Sequence, residues 1–256
     1  VLGRAVAGIG GARQNALERL TPQGLPDAGF RAGVLAALAC PGFDPLRSFG
    51  AAMARRADGK LLVAQSYATD TTPVNSRVCV SRVMPDGSID TGFGAGGYVI
   101  LGWEFQWDEM MPVAIFPLPN GGSALFLQQR RELDGKSYYH YMIATMTAEG
   151  SLDASRFDRG ITGPTDLHVA KVEAVAMQAD GKFLVAGDPI AGYDQRGAGH
   201  PVAGFDTSRP HVGRLHPEGG ADLAFGPLGR GYTPLLAFGK RLAPRGVSLG
   251  RGGILV

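Results

Sequence analysis

The sequence is poor in cysteine and in charge, and each shortage removes a class of protein. Cys40 and Cys79 are the only cysteines, too few for a disulfide scaffold or a thiolate zinc site. Both stand in Ala- and Val-rich surroundings, which favours two separate buried thiols; a single disulfide stays open for a chain in an oxidising compartment. Charged residues make up 19% of the chain, the formal net charge is +2, and no run of Lys or Arg exceeds two. The basic stripe that phosphate-backbone binding needs is missing, which argues against a nucleic-acid partner. No apolar stretch approaches the ~20 residues of a membrane-spanning helix, so no membrane span is expected. The sequence opens Val1-Leu2-Gly3-Arg4, without an initiator Met, as expected of a processed or partial chain; the missing leader pattern says nothing about compartment.

Enzyme signatures are missing as well. There is no Gly-x-Ser-x-Gly elbow, no His-Glu-x-x-His, no phosphate loop and no dinucleotide fingerprint between a strand and a helix. Gly8-x-Gly10-Gly11 is a lone glycine cluster, and Ala39-Cys40-Pro41 offers no environment for a thiolate. No catalytic residue, cofactor or metal is therefore expected, although an enzyme can also assemble its site from residues far apart in the sequence.

What the chain has in quantity is glycine (39), proline (17) and apolar residues (45%), the composition of a packed domain with many tight turns. The turns fall in a pattern. A first motif reads Ala57-Asp58-Gly59-Lys60-Leu61-Leu62-Val63-Ala64, Pro119-Asn120-Gly121-Gly122-Ser123-Ala124-Leu125-Phe126 and Ala179-Asp180-Gly181-Lys182-Phe183-Leu184-Val185-Ala186. Asp-Gly or Asn-Gly before an apolar run signals a hairpin, because the turn needs a residue that tolerates positive φ. A second motif follows at Arg19–Asp27, Arg82–Asp90, Thr145–Asp153 and Arg214–Asp222, each closed by an aromatic: Phe30, Phe93, Phe157 and Phe225. Successive Asp residues lie 63, 63 and 69 positions apart.

The N-terminal segment carries a second motif with no first, and Val247–Val256 looks like a first motif with no second. Joined end to start, Gly253 to Gly24 spans 27 residues, against 28 from Gly59 to Gly87. Each unit holds about four candidate strands, and radial repetition of four-stranded sheets is a propeller. The expected architecture is thus an all-β, single-domain β-propeller of four blades of four strands. Its units run over about 1–34 plus 244–256, 35–101, 110–162 and 170–235, with one blade closed by the N- and C-terminal segments so that no long edge is left unpaired. A chain missing whole blades would show the same phase. A solenoid is the rival, but it would need capping repeats.

The paired motifs Asp-Gly-Lys-Leu-Leu-Val-Ala and Asp-Gly-Ser-Ile-Asp-Thr-Gly-Phe-Gly-Ala-Gly-Gly resemble the bacterial delta-60 repeat family. Asp58–Gly97 is closest to the pattern and Asp180–Phe225 next; the third copy departs at Asn120-Gly121-Gly122 and at Arg156-Phe157. The resemblance implies a propeller of secreted, periplasmic or cell-surface location, with no general activity and no catalytic residues to carry over.

Asp27, Asp90, Asp153 and Asp222 invite reading as a carboxylate ring, and Asp86-x-Ser88-x-Asp90 has the rhythm of a calcium loop. The equivalents Gln23/Leu25/Asp27 and Glu218/Gly220/Asp222 lack the middle ligand. A short carboxylate that accepts backbone N–H groups and fixes the turn before the Phe is the simpler reading. Arg19, Arg82 and Arg214 recur at one position; a bidentate clamp on the turn Asp is favoured over anion binding, because three of four copies share the residue and a binding site usually breaks symmetry.

Function is expected where the repeat breaks, since loops on a rigid scaffold commonly carry it. One break is Gly102–Met111, which holds both tryptophans, Trp103 and Trp107; exposed aromatics suit glycan or protein contact, while inter-blade packing is the alternative. The other is Asp188–His211, which lengthens the last unit and carries Tyr193, Asp194, Arg196, His200 and His211. Two histidines without a third ligand are a weak metal signal. The expected function is a non-enzymatic binding or scaffold module for a protein or glycan, or a subunit of a larger assembly. A hydrolase or lyase at one mouth of the channel is the alternative.

Overall fold

One turn is built over and over. In each motif a backbone N–H bonds the carbonyl four residues on, and the glycine N–H bonds back to the first residue of the turn: Arg56 N–H to Lys60 O (2.8 Å) with Gly59 N–H to Arg56 O (3.1 Å), Met84 with Ser88 and Gly87, Gln178 with Lys182 and Gly181. The same pattern closes the turns at Gly24, Gly121, Gly150 and Gly219. In all of these turns the glycine has φ between +80° and +88°, a region an L side chain enters only with strain. The first and second motifs are thus the same hairpin turn used twice per unit.

The structure is a computed structural model that describes residues 2–6, 13–30, 40–44, 47–69, 76–101, 108–133, 136–156, 160–161, 171–188, 210–227, 229, 231–235, 247–250 and 253–255. Among the described residues all regular structure is strand, in antiparallel sheets. No helix there is long and apolar enough to cross a membrane. Strands β1 (Leu2–Val6) and β2 (Arg13–Leu17) pair; β3 (Ser48–Arg55), β4 (Leu61–Ala68), β5 (Ser76–Val83) and β6 (Tyr98–Leu101) form a four-stranded meander. Strands β7 (Asp108–Pro117), β8 (Ser123–Leu133) and β9 (Lys136–Met146) form a three-stranded sheet. Strands β10 (Lys171–Met177), β11 (Phe183–Asp188), β12 (His211–Leu215) and β13 (Tyr232–Pro234) form a second meander, and β14 (Ser248–Gly250) pairs with β15 (Gly253–Leu255). This last hairpin departs from the first motif, because Gly250 pairs with Gly253, whereas Arg55 pairs with Leu61 across the turn at Gly59.

The chain divides into two compact units, Val1–Leu125 with Thr145–Asp153, and Phe126–Ala144 with Ala154–Val256. In the first, the central strands β4 and β5 are buried almost end to end. Both faces of the sheet are therefore covered, unlike the alternation of a one-sided sheet. Leu17, Phe30, Val63 and Val83 form one cluster, flanked by Met53, Leu61 and Ile89; each such side chain withdrawn from water contributes roughly 1.5–3 kcal/mol. Side-chain hydrogen bonds then place the next strand: the Ser66 hydroxyl donates to the Met110 carbonyl, and Met110 N–H donates to Ser76 Oγ at 2.5 Å.

A second cluster in this unit corrects the expectation of separate thiols. Cys40 and Cys79 are joined in a disulfide, packed with Tyr67, Phe43 and Tyr98. Local composition could not show this, because it is the fold that brings the Cys40–Asp44 turn against the middle of β5.

In the other unit, Leu184, Ala186 and Val212 form the core, with Phe225, Leu235, Val247 and Ile254 against it. Phe126 packs near Tyr141 and edge-on to Phe183, ring centroids 6.3 and 5.9 Å away. Val172 N–H donates to Gln128 Oε1 at 3.2 Å. Gln128 stands at the repeat position of Ser66, seven residues after the turn glycine in each case.

Candidate functional site

The residues that looked chemical in sequence meet at the second-motif turns. Asp27 Oδ1 accepts Gly29 N–H (2.9 Å), Asp90 Oδ1 accepts Gly92 N–H (3.2 Å) and Asp222 Oδ1 accepts Ala224 N–H (3.1 Å). The carbonyls of the same three residues take the N–H of Phe30, Phe93 and Phe225. Each carboxylate therefore ties down the turn that delivers the aromatic.

The second carboxylate oxygen takes a cation. Arg19 Nε reaches Asp27 Oδ2 at 2.8 Å, and Arg82 and Arg214 reach Asp90 and Asp222 at 2.7 Å. The expected two-pronged clamp on one carboxylate is replaced by a split grip. Arg19 Nη1 donates to the Pro85 carbonyl and Arg82 Nη1 to the Ala148 carbonyl at 2.5 Å, in each case in the second motif of the following repeat. Each guanidinium also lies over its own phenylalanine, with 4.9, 4.6 and 4.8 Å to the centroids of Phe30, Phe93 and Phe225, a favourable cation–π contact.

Lysine adds a partner that sequence reasoning missed. Lys60 Nζ lies 2.7 Å from Asp90 Oδ2, and Lys182 Nζ lies 2.9 Å from Asp222 Oδ2. The available signal was the Lys directly after Gly59 and Gly181. The hydrogen bond from Lys60, then that from Arg82, holds the Asp90 carboxyl below its ordinary range against the opposing effect of burial. The Lys182 hydrogen bond leads the set that lowers Asp222 to about 2, and the Gly29 N–H followed by Arg19 lowers Asp27. All three stay ionised at neutral pH as acceptors already engaged by fixed donors. Such carboxylates are poor general bases and poor metal ligands.

The third copy is different. Thr145 stands in the Arg position and Gly122 in the Lys position, while Asp153 N–H still bonds the Thr145 carbonyl at 2.9 Å. A Cβ on Gly122 would collide with the Met146 carbonyl oxygen, so no lysine fits there. The turn is held from the second repeat instead: Gly94 N–H donates to the Glu149 carbonyl at 2.6 Å, and Gly150 lies against Phe93.

His211 is the one candidate binding residue among those described. It opens β12, pairs with Gly187 and Pro234, is fully buried and meets the Tyr232 ring edge-on at 5.2 Å. Trp103, Trp107, Tyr193, Asp194, Arg196, His200 and Phe157 lie outside the described residues. Among the described residues no three His, Cys, Asp or Glu side chains gather as a metal cluster. A cleft of about 410 Å³ opens beside Leu17, Phe30, Met53 and Leu61, with Glu18, Arg19 and Arg55 as its charged lining. It can shelter an apolar side chain, and it holds no acid–base or nucleophilic pair.

Residues 56–93 match a family described as a domain of unknown function (DUF5122) beta-propeller. No curated protein and no solved structure matches the chain. The match covers the first turn, strands β4 and β5, and the Arg82–Asp90–Phe93 turn. Together with the all-β sheets it supports a propeller-type repeat.

Proposed function

We propose that the chain is a delta-60-type propeller of four four-stranded blades, one completed by its N- and C-terminal segments, acting as a non-enzymatic module that binds a protein or a glycan. One observation carries the reading: at Asp27, Asp90 and Asp222 the polar residues that recur are spent on one another and on the backbone. That leaves recognition to the segments that break the repeat, which in sequence hold Trp103 and Trp107, and Tyr193, Asp194, Arg196 and His200. A location outside the cytoplasm (secreted, periplasmic or on the cell surface) is part of the same proposal. The Cys40–Cys79 bridge supports it, since disulfides persist in oxidising compartments.

The test is a pull-down from the native source together with a glycan array. It compares the wild type with Trp103→Ala/Trp107→Ala and with a variant in which residues 189–209 are replaced by a short Gly-Ser linker. Loss of a partner or glycan signal in either variant is expected. Unchanged capture in both sinks the proposal.

A further inference from the structure

The disulfide occupies a repeat position of the core. Aligning Ser81-Arg82-Val83 with Ala144-Thr145-Met146 and Gly213-Arg214-Leu215 puts Cys79 in register with Met142 and His211. All three are buried in the third strand of their sheets. Met142 and His211 fill the position with a long or ringed side chain, whereas a cysteine leaves it short of volume. In the β3–β6 sheet the deficit is met from outside the strand. The Cys40 sulfur bonds to Cys79, and the Cys40–Asp44 turn, closed by Phe43 N–H to the Cys40 carbonyl at 3.1 Å, comes with it. Phe43 lies 5.4 Å from the Tyr67 ring. The Tyr67 hydroxyl is hydrogen-bonded to the Cys40 backbone, and burial pushes its pKa up to about 12. The sulfur bridge, the turn and two tyrosines thus form one plug over the middle of β5.

We propose that the Cys40–Cys79 bridge is an oxidation-dependent latch: the plug seats and the β3–β6 sheet completes its core only once the two thiols have been oxidised. The step is thiol–disulfide exchange with a disulfide-bearing oxidant. One cysteine thiolate attacks the oxidant's disulfide to give a mixed disulfide, and the other displaces it. The two thiol protons and two electrons end on the oxidant, which leaves as a dithiol. This control of folding holds whatever the module binds. The bridge spans a sequence separation of 39 residues, and closing such a loop shifts the open–closed equilibrium by on the order of several hundredfold.

Amide hydrogen exchange on the full chain tests the latch, with the oxidised protein compared against protein unfolded and refolded in excess dithiol, and against Cys40→Ala/Cys79→Ala. Amides of β4 and β5 are expected to exchange on the order of several hundredfold faster in both latch-free forms, with β11 and β12 unchanged. Cys40→Ala/Cys79→Met, which restores the volume found at Met142, is expected to recover most of the protection without an oxidant. Protection of β4 and β5 in the reduced chain equal to that in the oxidised chain overturns the proposal. So does an equal loss across β11 and β12, which would mark general destabilisation rather than a latch.

Discussion

Replacing Asp90 by Ala is expected to destabilise the protein by about 2–4 kcal/mol. The carboxylate receives Lys60 and Arg82, both at 2.7 Å, and the Gly92 N–H at 3.2 Å. Its side chain is 13% exposed and that of Arg82 10%, while Lys60 is 26% exposed. Removing one member of a buried pair leaves the other charge without its partner, at a cost of about 3–5 kcal/mol. Lys60 can swing into water and recover part of this, and Arg82 keeps the Ala148 carbonyl and the Phe93 face, so the lower figure applies. Urea unfolding followed by fluorescence would measure the loss. A double-mutant cycle of Arg82→Met and Asp90→Asn would isolate the pair, for which hydrogen bonds to charged groups imply a coupling of about 1.5–3 kcal/mol. A coupling under about 0.5 kcal/mol is what solvated surface pairs give. That result would refute the view that these residues are held in the fold.

Asp222 sets an acid limit on stability. Its folded pKa of about 2 lies below the ordinary 3.8, so the stability it contributes is present above about pH 4 and is lost as pH falls toward 2. Asp222→Asn should flatten the pH dependence of the urea midpoint within that window, and an unchanged slope would contradict the assignment. Gly150→Ala should cost about 1–3 kcal/mol, because φ there is +88° and a Cβ would meet Gly94 N at 2.6 Å and the Phe93 ring at 2.8 Å; thermal unfolding would show it. Gln128→Ala should cost about 1 kcal/mol through the lost acceptor for Val172 N–H, read as faster exchange of that amide.

Much of this architecture is legible in the amino-acid sequence. Gly59, Gly121 and Gly181 announce hairpins because their backbone conformation is one that other residues avoid. The Asp-to-Phe spacing of the second motif reports a turn that is local in the chain. The parts that sequence leaves unread share a different property. Lys60 and Asp90 are 30 residues apart, Lys182 and Asp222 are 40, and the longer last unit hides that these two pairs are the same contact. Arg19 reaches a carbonyl 66 residues on, where local spacing points only to its own Asp. His211 reads in sequence as part of a long connector, yet it is in register with Cys79 and Met142 in a central strand.

What the sequence by itself determined is the period, the turns and the apolar strands between them, since each is a preference of φ, ψ and side-chain alternation within a few residues. The tertiary structure alone decided that Cys40 meets Cys79, that one arginine serves its own turn and the next, and that Thr145 and Gly122 replace the clamp in the third copy. Those choices depend on which surfaces the folded sheets bring within bonding distance. That is a property of packing over tens of residues, and no local pattern records it.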